Sequence, residues 1–117
     1  MSRQTLEQLR AQNAWEASAN VDKDYVNIAK GLPALIMNSG LMQVMAFAQE
    51  KGKKHEVVAA QLRNWLAGRF PKVKNDFTGF MQSLMNAEPQ EYQAINAEAF
   101  AWLKWLRHMA AARNGGE

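Results

Sequence analysis

The chain has 117 residues, 48% of them hydrophobic, a net charge of +3 and no cysteine. That length suits one domain, 1–117, around one core, and the apolar content excludes a disordered chain. Disulfides and thiolate metal sites are excluded, no apolar run nears the roughly 18 residues of a membrane span, and the polar start MSRQTLEQLRAQ is no secretory leader. A cytoplasmic protein with no membrane contact is expected.

No segment alternates apolar and polar residues as a half-buried strand does, so the expected class is all-α. The first helix is expected over about residues 4–19, with a thin apolar face from Leu6 and Leu9 and further apolar content from Trp15. Asp22 or Asp24 can cap a second helix, whose apolar residues Tyr25, Ile28, Ala29, Leu32, Leu35 and Ile36 recur at helical spacing. Pro33 lacks a donor and crowds the preceding turn, which predicts a kink or restart near Gly31. Asn38-Ser39-Gly40 ends that helix in a left-handed turn. A third helix follows over about 41–51 with the stripe Leu41, Val44, Met45 and Ala48, and Gly52 ends it.

The fourth helix is expected over about 54–67, with Val58, Leu62, Trp65 and Leu66 inward and Glu56, Ala59 and Ala60 outward. A fifth covers about 76–86 with Phe77, Phe80, Met81 and Leu84 on one face. Pro89 suits the first turn of a sixth, which runs to about Ala112 before Asn114-Gly115-Gly116. Short links between amphipathic helices predict a single bundle of about five to six helices, mostly with antiparallel neighbours.

Catalytic signals are weak. His55 and His108 have no ligand-type neighbours at useful spacing, Asp22 and Asp24 suit capping, and Glu88 and Glu91 suit the start of the sixth helix. There is no Walker loop, no GxGxxG and no HExxH. A protein that is not an enzyme, with no cofactor and no metal, is expected.

Charge is the better signal. Residues 51–74 hold seven bases (Lys51, Lys53, Lys54, Arg63, Arg69, Lys72 and Lys74) against the one acid Glu56, a local charge of +6. Residues 75–100 hold Asp76, Glu88, Glu91 and Glu98 and no base. Concentrated charge of this kind steers polyanions. The bases form either one continuous edge along the fourth helix, able to track a phosphate backbone, or two separate solvated loops. No aromatics are evidently interleaved with them, which argues against sequence-specific readout. Trp102 and Trp105, three apart on a helix already filled with leucines, are either core or an exposed partner surface.

The stretch LPALIMNSGLMQVMAFAQEKG resembles the hallmark segment of the small all-helical subunit of the Cmr-type (type III-B) CRISPR RNA-guided effector complex. The matching residues are Leu32-Pro33, Leu35-Ile36, Gly40-Leu41, Gln43, Ala46-Phe47 and Lys51-Gly52. AFAWLKWLRHMAAA, residues 99–112, resembles that family's closing helix and departs from it over Trp105 to Met109. The resemblance implies a non-catalytic subunit whose copies stack into a short filament beside the backbone subunits. Its partners would be those backbone subunits, the large subunit, copies of itself and the guide RNA–target RNA duplex, held in a basic groove. RNA cleavage and nucleotide-messenger chemistry would belong to other subunits. On charge and position, Lys30, Lys51, Lys53, Lys54, Arg63, Arg69, Lys72, Lys74, Lys104 and Arg107 are candidate phosphate contacts, and Trp102 and Trp105 a candidate protein interface. A protein-only adaptor using the Trp surface and a helical DNA-binding regulator are the rival readings.

Overall fold

The computed structural model describes residues 3–114, which form six α-helices and no strand. They are α1 (Leu6–Ala17), α2 (Lys23–Ser39), α3 (Leu41–Lys51), α4 (Lys53–Arg69), α5 (Phe77–Met85) and α6 (Pro89–Arg113). The molecule measures 42 × 40 × 22 Å, so its short axis holds two helix layers of about 10–12 Å each.

Local chemistry starts most of these helices. Thr5 and Gln8 form a reciprocal capping box at α1, with the Gln8 amide donating to Thr5 Oγ1 at 3.1 Å and the Thr5 amide to Gln8 Oε1 at 2.7 Å. Asp22, rather than Asp24, caps α2 by accepting from the Tyr25 amide at 3.0 Å. Asp76 does the same for α5 from the Gly79 amide at 2.9 Å. Pro89 occupies the first turn of α6, where its missing N–H costs nothing.

Gly40 (φ +87°) and Gly52 (φ +68°) supply the left-handed turns that fold α2, α3 and α4 back on one another. Gly79 answers a different demand, because a Cβ there would lie 2.7 Å from Asp76 Oδ1 and 2.8 Å from Lys74 Cβ. Helix α2 differs from the expected restart: it continues through Pro33 from Lys23 to Ser39. Leu32 and Ile36, buried on either side of the proline, hold both halves against the core. Gly115 and Gly116 lie outside the described residues; Asn114 itself closes α6.

Helix α6 is the centre of the bundle and packs on α1, α2 and α4. It buries Ile95, Ala99, Trp102, Leu103, Leu106 and Ala110. Helices α1 and α6 run in the same sense. Arg10 meets Glu98, Asn13 meets Trp102, and the Trp15 carbonyl meets Arg113, each step advancing along both helices. Tyr25 ties the other layer together. Its hydroxyl donates to Gln61 Oε1 at 2.6 Å, and the Gln61 amide donates to the Ala17 carbonyl at 3.1 Å, linking α1, α2 and α4. Burial raises the Tyr25 pKa well above its ordinary value.

Candidate nucleic-acid interface

The basic segment begins at the α3–α4 turn and runs down α4, whose 17 residues span about 26 Å. Arg63 sits at its midpoint and is not on the surface. Its relative exposure is 4%. The guanidinium pairs with the Glu56 carboxylate, donates to the Asn75 carbonyl at 2.9 Å and touches Met45 Sδ at 3.9 Å. The core face of α4 is Val58, Ala59, Leu62, Arg63 and Leu66. Ala59 and Arg63 therefore lie inward, against expectation, while Trp65 is only half-buried. Arg63 extends the Val58–Ala59–Leu62 face by one helical step, and its charge is offset by Glu56. Its burial interrupts any continuous basic edge and removes it from phosphate contact.

Tertiary structure also brings acids to several of the other bases. Lys54 is exposed, yet its ammonium pairs with Asp22 and, at 3.1 Å, with Asp24. The Asp22 and Asp24 hydrogen bonds raise the Lys54 pKa, and Lys54 with the Tyr25 amide lowers that of Asp22. Lys72 and Lys74 are exposed in a cleft of about 670 Å³ that they share with Asp76, Glu88 and Glu91. Arg69 lies 6.0 Å over the Trp65 ring. Lys51 lies 5.9 Å over Phe47, and Lys53 is exposed at the first turn of α4. Lys30 is exposed on α2.

On α6, exposed Lys104 and His108 flank half-buried Trp105. With Arg10 and Glu7 of α1 they line a cleft of about 480 Å³. Trp105 thus joins Trp65 and Phe47 as an aromatic set beside bases, and folding adds Arg10 of another helix to its surroundings. Arg107 is half-buried on the same stretch of α6. Trp102, by contrast, is fully buried, and its indole N–H donates to Asn13 Oδ1 at 2.9 Å. It is core, not an interface residue, because α1 covers the side of α6 on which it lies. Trp15 is the exposed tryptophan, at 49%, with the Arg113 guanidinium 3.9 Å over its ring.

Sequence reasoning missed the buried centre linking α1, α4 and α6. Glu98 accepts from Arg10 Nε and Nη2, each at 2.7 Å, and from the Trp65 indole N–H at 2.9 Å. Burial pushes the Glu98 carboxyl up, but the Arg10 and Trp65 hydrogen bonds and the Arg10 and Arg69 charges outweigh it, leaving a net lowered pKa. The signal was faint: Glu98 stands among the buried positions Ile95, Ala99 and Trp102 of α6. Among the described residues no group of three or more His, Asp or Glu could hold a metal ion, and no helix is long and apolar enough to cross a membrane.

The family model described as CRISPR-associated protein (Cas_Cmr5) matches residues 6–113. A curated relative, the CRISPR system Cmr subunit Cmr5 of Thermus thermophilus, is 28% identical over 114 residues, covering 92% of this chain and 95% of the relative. The crystal structure of a CRISPR-associated Cmr5 family protein, also from Thermus thermophilus, superposes with a TM-score of 0.77 at 25% identity. That match covers 93% of this chain and 97% of the other.

Proposed function

The chain belongs to the CRISPR-associated Cmr5 family, and from that premise we propose that it is a small, non-catalytic, cytoplasmic subunit of a Cmr-type (type III-B) RNA-guided effector complex. The observation that carries this reading is the match across 6–113 together with the agreement of the whole helical bundle with a family structure. Copies of the chain stack beside the backbone and large subunits, and exposed bases contact the backbone of the guide RNA–target RNA duplex. After the removal of Arg63 and the engagement of Lys54, the bases that best serve this role are Lys53, Lys72, Lys74, Lys104 and Arg107. They are spread over the α3–α4 turn, the α4–α5 connection and α6, which suits diffuse phosphate contact rather than base readout.

Co-expression with the other Cmr subunits tests the reading. The chain should co-purify in a stable assembly, and its absence from the purified complex would overturn it. RNA contact is tested by charge reversal at Lys53, Lys72, Lys74 and Lys104, with binding of the assembled complex followed against salt. Every base that ceases to neutralise a phosphate should flatten the log–log salt slope by about 0.7–0.9. An unchanged slope would leave protein docking as the only role of this surface.

A further inference from the structure

Helices α2 and α3 lie antiparallel about the Gly40 turn, and the outer seam between them is not covered by another part of the described chain. Near the turn, Leu35 and Ser39 of α2 and Gln43, Val44 and Phe47 of α3 line an apolar cleft of about 200 Å³. Leu35 and Phe47 are each 41% exposed. Farther along the same seam Ile28, Lys51, Lys53 and His55 line a second cleft of about 520 Å³, together with Lys54 and its acid partner Asp24. Phe47 joins the two parts: the His55 ring meets its edge at 5.7 Å and the Lys51 ammonium lies 5.9 Å from its centre. The seam thus grades from apolar to cationic over the 11 residues from Ser39 back to Ile28, about 16 Å or three helical turns.

We propose that this seam is a docking groove for an amphipathic helical segment of a neighbouring protein chain, one with apolar anchors at one end and carboxylates at the other. Leu35 and Phe47 present aliphatic and aromatic surface above buried Val44, which a helix with leucines one turn apart fills. Lys51, with His55 beside it, complements acidic residues one to two turns farther on, fixing the polarity of the docked helix. A nucleic acid satisfies only the cationic half and leaves Leu35 and Phe47 against water. The cleft around Leu35 and Phe47 contains no charged side chain that a phosphate could use. The proposal goes beyond the subunit reading and does not require it, since the groove exists in the chain alone.

The test uses the full chain and a panel of synthetic three-turn helical peptides, each with two leucines one turn apart and glutamates in the far turn. Binding is followed by fluorescence anisotropy of the labelled peptide and by amide shifts of the isotope-labelled protein. Shifts are expected at Leu35, Gln43, Phe47 and Lys51. Phe47→Ser and Leu35→Ser should each weaken binding about tenfold, Lys51→Glu should weaken it similarly, and replacing the peptide glutamates with lysines should abolish preference for the groove. Thermal unfolding of each variant is measured beside binding, and a variant that is folded at the binding temperature yet fails to bind separates a docking defect from a folding defect. Absence of binding across the panel, or equal binding to the parent and the Phe47→Ser variant, would overturn the proposal. So would oligouridylate shifting the same amides in place of the peptides, which would make the groove an RNA surface. Concentration-dependent shifts of these amides without peptide, absent in Phe47→Ser, would make the occupant a second copy and overturn it too. Incorporation into the Cmr complex is a separate measurement, so its failure would sink the subunit reading and leave this result standing.

Discussion

Helix α6 and the α2–α3 hairpin carry comparable apolar content, but α6 leaves its large apolar side chains at most half-exposed whereas the hairpin leaves several outside. Helix α6 is overlaid by α1, α2 and α4, so even Trp102 has no exposed surface. The hairpin packs its inner residues Leu32, Ile36, Leu41, Met45 and Ala48 inward and leaves Leu35, Met37 and Phe47 outside. An apolar stripe therefore identifies a face that wants a partner, and the number of neighbouring helices decides whether the partner is internal. The structure buries Trp102 in the core, while Leu35, Met37 and Phe47 of the hairpin stay exposed.

The largest expected break in this contrast is Trp102→Ala, which should cost about 3–5 kcal/mol, measured by chemical denaturation, because the cavity opens between α1 and α6. Next is Glu98→Gln, which removes the charge that Arg10 and the Trp65 indole share. Losing one partner of a fully buried pair costs about 3–5 kcal/mol, but Arg10 is partly exposed, so about 2 kcal/mol is expected. The pH dependence has a definite sign. The folded Glu98 pKa lies below its ordinary value of 4.5, so its contribution is complete above that pH and is lost as pH falls below it. Thermal unfolding from pH 7 to pH 3 should show this component in the parent and not in Glu98→Gln.

Smaller again is Thr5→Ala, at about 1 kcal/mol, from loss of one side of the α1 capping box. Lys54→Met should have the least effect of these on stability, and what effect it has should fade with added salt. The Lys54 pair with Asp22 and Asp24 is solvent-exposed on both sides, where screening is strong. The hairpin variants Leu35→Ser and Phe47→Ser complete the series, with a fold that persists and docking weakened about tenfold.

Much of the fold was legible from periodicity and caps. The bounds of α3 agree at both ends, α5 is one residue shorter at each end than expected, and α6 extends one residue beyond. Of the kink or restart expected at Pro33, the restart does not occur, because the buried residues on either side hold one continuous helix to the core. In the basic segment the sequence left a continuous edge and separate loops open, and the burial of Arg63 decides against the continuous edge. The segment's charge of +6 counts residues in sequence, whereas Asp22, Asp24, Glu88 and Glu91 reach it only through folding. Arg63 shows both effects, since it continues a core face that Val58 and Leu62 announced and meets Glu56 two turns back on its own helix.

By itself the sequence determined the helical class, the six helices, the glycine turns and the family-like stretch 32–52. These follow from helical spacing, capping residues and backbone freedom, all of which act over a few neighbouring positions. Only the tertiary structure decided which bases remain uncompensated, which tryptophan is covered and which apolar residues stay outside. Those outcomes depend on what lies across the packing interface, as when Glu98 of α6 meets Arg10, 88 positions earlier in the chain.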